Sequence, residues 1–268
     1  MLIVVLLVAG WSSAPALAAE PVPGQLPPAL PLPSALLIDS IDPQPTPPPT
    51  PRHTGPGALL RGVVGDFAHL PSRENLGWAL FGGSLAAAAY PFDAEVNQHL
   101  AGTDPFWQPG KVIGLGYVQV GAALTTYAYG RLSHRPKVSH VGMDLLRAQI
   151  VAGAVTAGLK YAVRRERPDG SDNLSFPSGH AAVTFATALV LQRHLGWWSL
   201  PTFLVASYTA ASRLHENVHY LSDVIAGATV GAIAGRTVTR HGRDSFALVP
   251  VVGRGRAGIL FVRVIPQG

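Results

Sequence analysis

Three short clusters hold residue types and spacings suited to handling a phosphoryl group. In the first, Ser212-Arg213 is followed by His219 and then, four positions on, by Asp223. On a helix an i, i+4 carboxylate reaches the imidazole, accepts its Nδ1 proton and leaves Nε2 free as a nucleophile. The second, Pro177-Ser178-Gly179-His180, lies directly before the apolar run that starts at Ala181 and so marks a helix N-terminus. Free backbone N–H groups and the positive end of the dipole attract anions there. Gly179 allows close backbone approach, Ser178 adds a hydroxyl donor and His180 can pass a proton near neutral pH. In the third, Lys160 is followed seven positions later by Arg167-Pro168. That spacing puts both cations on one helix face if the helix runs so far, and proline ends it. Each cluster alone has a plainer alternative: a surface His–Asp pair, an ordinary cap with a chance histidine, and cations that complement a helix end. Their joint order and spacing favour the chemical reading.

The elements that must position these groups are helical. Apolar stretches near 75–91, 112–130, 141–163, 180–195, 198–212 and 219–236 are separated by turn signals such as Leu132-Ser133-His134-Arg135-Pro136 and Arg167-Pro168-Asp169-Gly170. They predict an all-α, six-helix core over residues 58–243. Residues 244–268 hold two β-prone runs around Gly253-Arg254-Gly255-Arg256, which predict a short C-terminal β-hairpin. At the other end, an apolar run closing on Ala16-Leu17-Ala18 has the form of a signal peptide over residues 1–19, although no Lys or Arg precedes it. Residues 20–57 are proline-rich, including Pro47-Pro48-Pro49, and predict a solvated, disordered linker.

Bulk composition narrows the partners. The 268 residues are 48% hydrophobic and 13% charged, with formal charge +5. Such a balance suits an anionic ligand. No Lys/Arg-rich run is present, which disfavours nucleic acid. With no cysteine there is no disulfide, thiolate metal site or cysteine nucleophile.

Taken together, Lys160-x6-Arg167-Pro168, Pro177-Ser178-Gly179-His180 and Ser212-Arg213-x5-His219-x3-Asp223 resemble the tripartite signature of the type 2 phosphatidic acid phosphatase superfamily. Bacterial acid phosphatases, lipid phosphate phosphatases and vanadium haloperoxidases share that signature. The resemblance implies an all-helical core and a phosphoric monoester hydrolase. His219 would attack phosphorus and form a phosphohistidine, Asp223 would orient it, and His180 would protonate the leaving oxygen and then activate water. Lys160, Arg167, Arg213, the Ser178 hydroxyl and the Gly179 amide would hold the equatorial oxygens. It implies no metal ion or other cofactor at the reaction, and a phosphorylated small molecule or lipid phosphate as substrate. A haloperoxidase is the alternative enzyme, disfavoured because those chains are usually longer; a non-catalytic phosphate-binding membrane module would not need both histidines and Asp223. Arg164, Arg165 and Glu166 read as a solvated helix end, His215 and Glu216 as turn residues, and Asp169, Asp172 and Asn173 as turn chemistry at the pocket rim.

Location divides the signals. The uncharged runs 112–130 and 196–212 approach the length of a membrane span. Arg131, Arg135 and Lys137, with Arg236, Arg240 and Arg243, would fit basic loops facing inward and a site facing outward. A cleaved signal peptide conflicts with that parity. The favoured expectation is a periplasmic or otherwise extracytoplasmic domain with membrane association, and the alternative an integral inner-membrane protein. Trp197 and Trp198 are either core or a membrane-interface pair.

Overall fold

A computed structural model describes residues 55–239, together with the backbone of Val4–Val5, Ser245–Gly253 and Arg256–Val264. The rest of the expected signal peptide, the linker up to residue 54 and the remainder of the tail lie outside the described residues. Ser245–Gly253 and Arg256–Val264 run antiparallel, Val249 opposite Leu260.

Residues 55–239 form an all-helical body. Its helices are α1 (Pro56–His69), α2 (Arg73–Ala89), α3 (Asp93–Leu100), α4 (Gln108–Ile113), α5 (Gly116–Leu132), α6 (Pro136–Val163), α7 (Gly179–Leu195), α8 (Leu200–His215) and α9 (Leu221–Val238). The expected count of six is therefore corrected to nine among the described residues. Helices α2 and α5–α9 fall on the six apolar stretches. The others escaped for physical reasons: α3 (Asp93-Ala-Glu-Val-Asn-Gln-His-Leu100) is mostly polar, α4 is six residues long, and α1 begins on Pro56 inside the expected linker. That proline suits the first helical turn, where its missing N–H is no loss.

Close packing follows from small residues at fixed spacing. Along α9, Gly227, Gly231 and Gly235 recur every four residues and face α7. A Cβ on Gly227 would come within 2.3 Å of the Ser178 carbonyl oxygen, and one on Gly231 within 2.2 Å of the Ala182 carbonyl oxygen. The two helices thus touch backbone to backbone. Gly130 and Gly142 do the same for the α5–α6 hairpin. Two apolar clusters fill the remaining space, one around Phe185, Leu189, Phe203, Leu214 and Val224, the other around Leu145, Leu146, Val151, Val190 and Val238.

No helix among the described residues is long and apolar enough to cross a membrane. Large apolar side chains are nonetheless exposed on several helices, among them Leu76, Leu80, Tyr117, Leu124 and Leu204. Trp198 is 81% exposed and Trp197 49%, so neither belongs to the core.

Candidate active site

The tight α7–α9 contact brings two helix N-termini together. Ser178 is the N-cap of α7, and its backbone N–H donates to the Asp223 carbonyl oxygen in the first turn of α9 at 2.9 Å. Gly179 opens α7, and a Cβ there would meet only Thr156 Cγ2, at 3.7 Å, so the amide is approachable from the pocket. His180 follows in the same turn. Its Nε2 donates to the Lys111 carbonyl oxygen at 3.1 Å, and Gly114, just after α4, lies flat against its ring.

His219 lies in the loop between α8 and α9, ahead of Leu221, so the expectation that it shares a helix with Asp223 is corrected. The loop is held from the side by α3: Asn97 Nδ2 donates to the His219 carbonyl oxygen at 3.2 Å and to Asn217 Oδ1 at 3.0 Å. Asp223 Oδ2 stands 3.7 Å from His219 Nδ1, an ion-pair separation longer than a hydrogen bond. Nδ1 is buried with no hydrogen-bond partner among the described residues. Asp223 itself is fully buried and heavily engaged, accepting from Ser175 Oγ, from the Tyr220 backbone N–H at 2.9 Å and from Arg165 Nη1 at 2.7 Å. Burial alone would raise its pKa, but these bonds and the ion pair with His219 outweigh burial and hold it below the usual carboxylate range.

The cations arrive from three directions. Helix α6 ends at Val163 and Arg164 turns left-handed, with φ 49°, so Lys160 and Arg167 do not share the helix face that their spacing suggests. A loop folds Arg167 back instead, with Nε donating to Asp172 Oδ1 at 2.7 Å and Nη1 to the Val218 carbonyl oxygen, beside His219, at 3.1 Å. Lys160 Nζ donates to the Leu174 carbonyl oxygen. Burial, then the nearby Arg167, lowers the Lys160 pKa to about 8. Arg213, in the last turn of α8, has Nη1 2.7 Å from Glu216 Oε2, while its Nε is buried without a hydrogen-bond partner among the described residues.

Both histidines are held neutral by this setting. Burial, with Arg213 and His219 nearby, lowers the His180 pKa to about 3. Burial also dominates at His219, and with Lys160 and Arg167 it outweighs Asp223 to leave a pKa of about 4. A cation cluster of buried Arg213 with half-buried Lys160 and Arg167 around two uncharged imidazoles is a site prepared for an anion.

Several supporting residues were missed or misread. Arg165, expected on a solvated helix end, bridges Asp223 Oδ1 and Asp93 Oδ2, each at 2.7 Å, between the rings of Tyr90 and Tyr220. Asp93 Oδ1 also accepts from the Ser222 backbone N–H at 2.9 Å, which ties α3 to the start of α9. Glu216, expected as a turn residue, faces Arg213. His215 fastens α8 to the 101–104 loop, with Nδ1 donating to the Leu100 carbonyl oxygen and Nε2 accepting from the Asp104 backbone N–H.

Residues 141–246, which carry every one of these cations, histidines and Asp223, match the model of the PAP2 superfamily. The likeness to the PAP2 superfamily lies in that stretch. It is 43% identical over 96 residues to the lipid A 1-phosphatase of Porphyromonas gingivalis, covering 34% of this chain and 21% of that protein. It is 40% identical over 115 residues to the decaprenylphosphoryl-5-phosphoribose phosphatase of Mycobacterium tuberculosis, covering 40% of this chain and 58% of that one. The matches thus span about a fifth of the first relative and a little over half of the second. Among solved structures, Aquifex aeolicus LpxE superposes with a TM-score of 0.47 at 23% identity, over 56% of this chain and 95% of that one.

Proposed function

We propose that this PAP2 chain is a phosphatase that passes a phosphoryl group to His219 and then to water, outside the cytoplasm. The observation that carries the reading is the convergence of buried His219 and half-buried His180, both uncharged, with Lys160, Arg167 and Arg213 at the N-terminus of α7. In the first step His219 Nε2 donates its lone pair to phosphorus in line with the scissile P–O bond. The leaving oxygen departs with that bond's electrons and takes a proton from His180. Asp223 closes its 3.7 Å gap to Nδ1 as positive charge develops on the ring, a tightening common on passing from the empty to the occupied state. In the second step neutral His180 takes a proton from water, the water oxygen attacks phosphorus, and the P–N bond to His219 breaks.

With a pKa of about 3, His180 is a neutral imidazole whose one N–H is held by the Lys111 carbonyl, so it has no acidic proton to give near neutral pH. The negative charge of an arriving phosphate favours the imidazolium, so substrate binding itself loads the acid. Lys160, Arg167, Arg213, Ser178 and the Gly179 amide hold the equatorial oxygens. They supply the positive charge that a metal ion supplies in other phosphatases, so the reaction needs none at the phosphate.

Lipid-linked phosphates are the favoured substrates. Two of the relatives are named for lipid phosphates, and an apolar cavity of about 230 Å³ between α2, α7, α8 and α9 reaches Leu214 and Leu221, on either side of the His219 loop. The exposed apolar helix faces and the signal-like N-terminus support a membrane-associated, extracytoplasmic location. The test is a panel of an aryl phosphate, phosphatidate and a polyprenyl pyrophosphate, assayed in chelator. Hydrolysis inhibited by vanadate and lost in His219→Asn is expected; full activity in His219→Asn overturns the assignment.

A further inference from the structure

A second cluster of buried histidines lies at the far end of the same two helices. His140 and Asp144 are i, i+4 on α6, and His194 stands in the last turn of α7. Between His140 and Lys160 run twenty residues of α6, roughly 30 Å at 1.5 Å per residue, so the cluster belongs to the pole opposite the phosphate pocket. The ligand-type atoms of all three side chains lie within 4.8 Å of one another. Asp144 Oδ2 is 2.9 Å from His194 Nε2 and 3.3 Å from His140 Nε2, and the two rings meet edge to face rather than stacked. The three side chains are buried, at 8%, 2% and 5% exposed for His140, Asp144 and His194.

We propose that His140, Asp144 and His194 form a structural site for one divalent transition-metal ion of the zinc class. Two imidazole nitrogens and a carboxylate oxygen are the donors such an ion favours. With bonds of about 2.0–2.1 Å, a tetrahedral ion holds its ligands about 3.3–3.4 Å apart, near the 2.9 and 3.3 Å that separate Asp144 Oδ2 from the two imidazole nitrogens. The outer shell is built as well. Arg147 Nη1 donates to Asp144 Oδ1 at 3.1 Å, and its Nε and Nη2 are fixed by Asp66 at 2.8 and 2.6 Å. Such support orients a ligating carboxylate and keeps its second oxygen occupied. Charge points the same way: among the described residues, the buried carboxylates Asp66 and Asp144 share Arg147 as their ion-pair arginine, which leaves negative charge for a dication to offset. Three protein ligands leave the fourth position to water. The ion would pin α6 to α7, and through α1 to Asp66, without touching the reaction.

The test uses the full chain after chelator treatment, titrated with Zn²⁺ by calorimetry and with Co²⁺ by visible absorption. One ion per chain with micromolar or tighter affinity is expected, with tetrahedral Co²⁺ bands and a melting temperature several degrees higher than in chelator. His194→Ala and His140→Ala should each weaken binding at least 100-fold, whereas His219→Asn should bind as the parent does. His194→Gln, which keeps a polar side chain against Asp144, separates lost binding from lost folding by its circular dichroism. Absence of a stoichiometric ion on the parent protein overturns the proposal, as does unchanged affinity in His194→Gln and His194→Ala. Loss of the ion in His219→Asn, which would put it in the phosphate pocket, overturns it too. Because the parent is titrated directly, the phosphatase reading can fail without affecting this result.

Discussion

The two poles of α6 and α7 use the same residue types to opposite ends. At the pole of Lys160 and His180, the imidazoles face Lys160, Arg167 and Arg213, and the carboxylate nearest them is turned into the scaffold by Ser175, Tyr220 and Arg165. At the pole of His140 and His194, the imidazoles meet a carboxylate oxygen directly and Arg147 is spent on Asp66 and Asp144. His219 and Asp223 are as buried as the cluster at the other pole. What differs is the sign of the charge the histidines see, and that decides whether a pocket waits for an anion or a cation. The lesson is that a buried histidine next to an aspartate says little about chemistry until the remaining neighbours are counted.

The largest effect that should break this contrast comes from Arg165, the residue that keeps Asp223 facing the scaffold. Arg165→Met leaves Asp93 and Asp223 buried without their shared partner, and breaking a buried pair typically costs about 3–5 kcal/mol. Denaturant titration should show a loss of that order. Among folded molecules kcat should fall about 100-fold through misplacement of His219, with KM within threefold of the parent. A variant with parental stability and kcat would show that Arg165 is the solvated residue its sequence suggested.

The pH profile sharpens the same point. His219 must be neutral to attack, and with its pKa at about 4 activity should rise as pH increases through that value. Lys160 must be charged to hold phosphate, and with its pKa lowered to about 8 activity should fall as pH rises through 8, well below the range of an ordinary lysine. Outside each limb kcat/KM should change about tenfold per pH unit. An acid limb near the usual histidine value would mean that burial and the cations do not act on His219 as described.

A smaller effect is expected from Gly231→Ala. The added Cβ would sit 2.2 Å from the Ala182 carbonyl oxygen, so α9 must move away from α7. Overpacking of this kind costs about 1–3 kcal/mol. Thermal unfolding should show the loss, together with a lower kcat, because the shift separates Ser178 from Asp223.

Much of the site was legible because its residues recur in three compact clusters, each tied to a chain reversal. The sequence could place Lys160, Arg167, Ser178, His180, Arg213, His219 and Asp223, since proline, glycine and apolar runs mark where helices start and stop. It misjudged their backbone: His219 and Arg167 sit in loops because Asn217 and Arg164 adopt left-handed conformations, which no side-chain periodicity reveals. Helix α3 was invisible because its role is polar. Asp93 and Asn97 act through hydrogen bonds to residues 72 to 129 positions away, and such pairings leave no local pattern. Arg165 was misread for the same reason, its partners Asp93 and Asp223 being distant in sequence. The Gly227-Gly231-Gly235 row carried the close α7–α9 contact in plain view, yet glycine spacing alone names no partner helix.

The central claim is covalent transfer to His219, and rapid quenching tests it most directly. Enzyme mixed with excess aryl phosphate, stopped in alkali within one turnover and digested for mass spectrometry should carry one acid-labile, alkali-stable phosphoryl group on the peptide containing His219. His180→Ala should accumulate that adduct, and His219→Asn should show none. Turnover at the parental rate with no phosphorylated His219 peptide at any quench time would contradict the account.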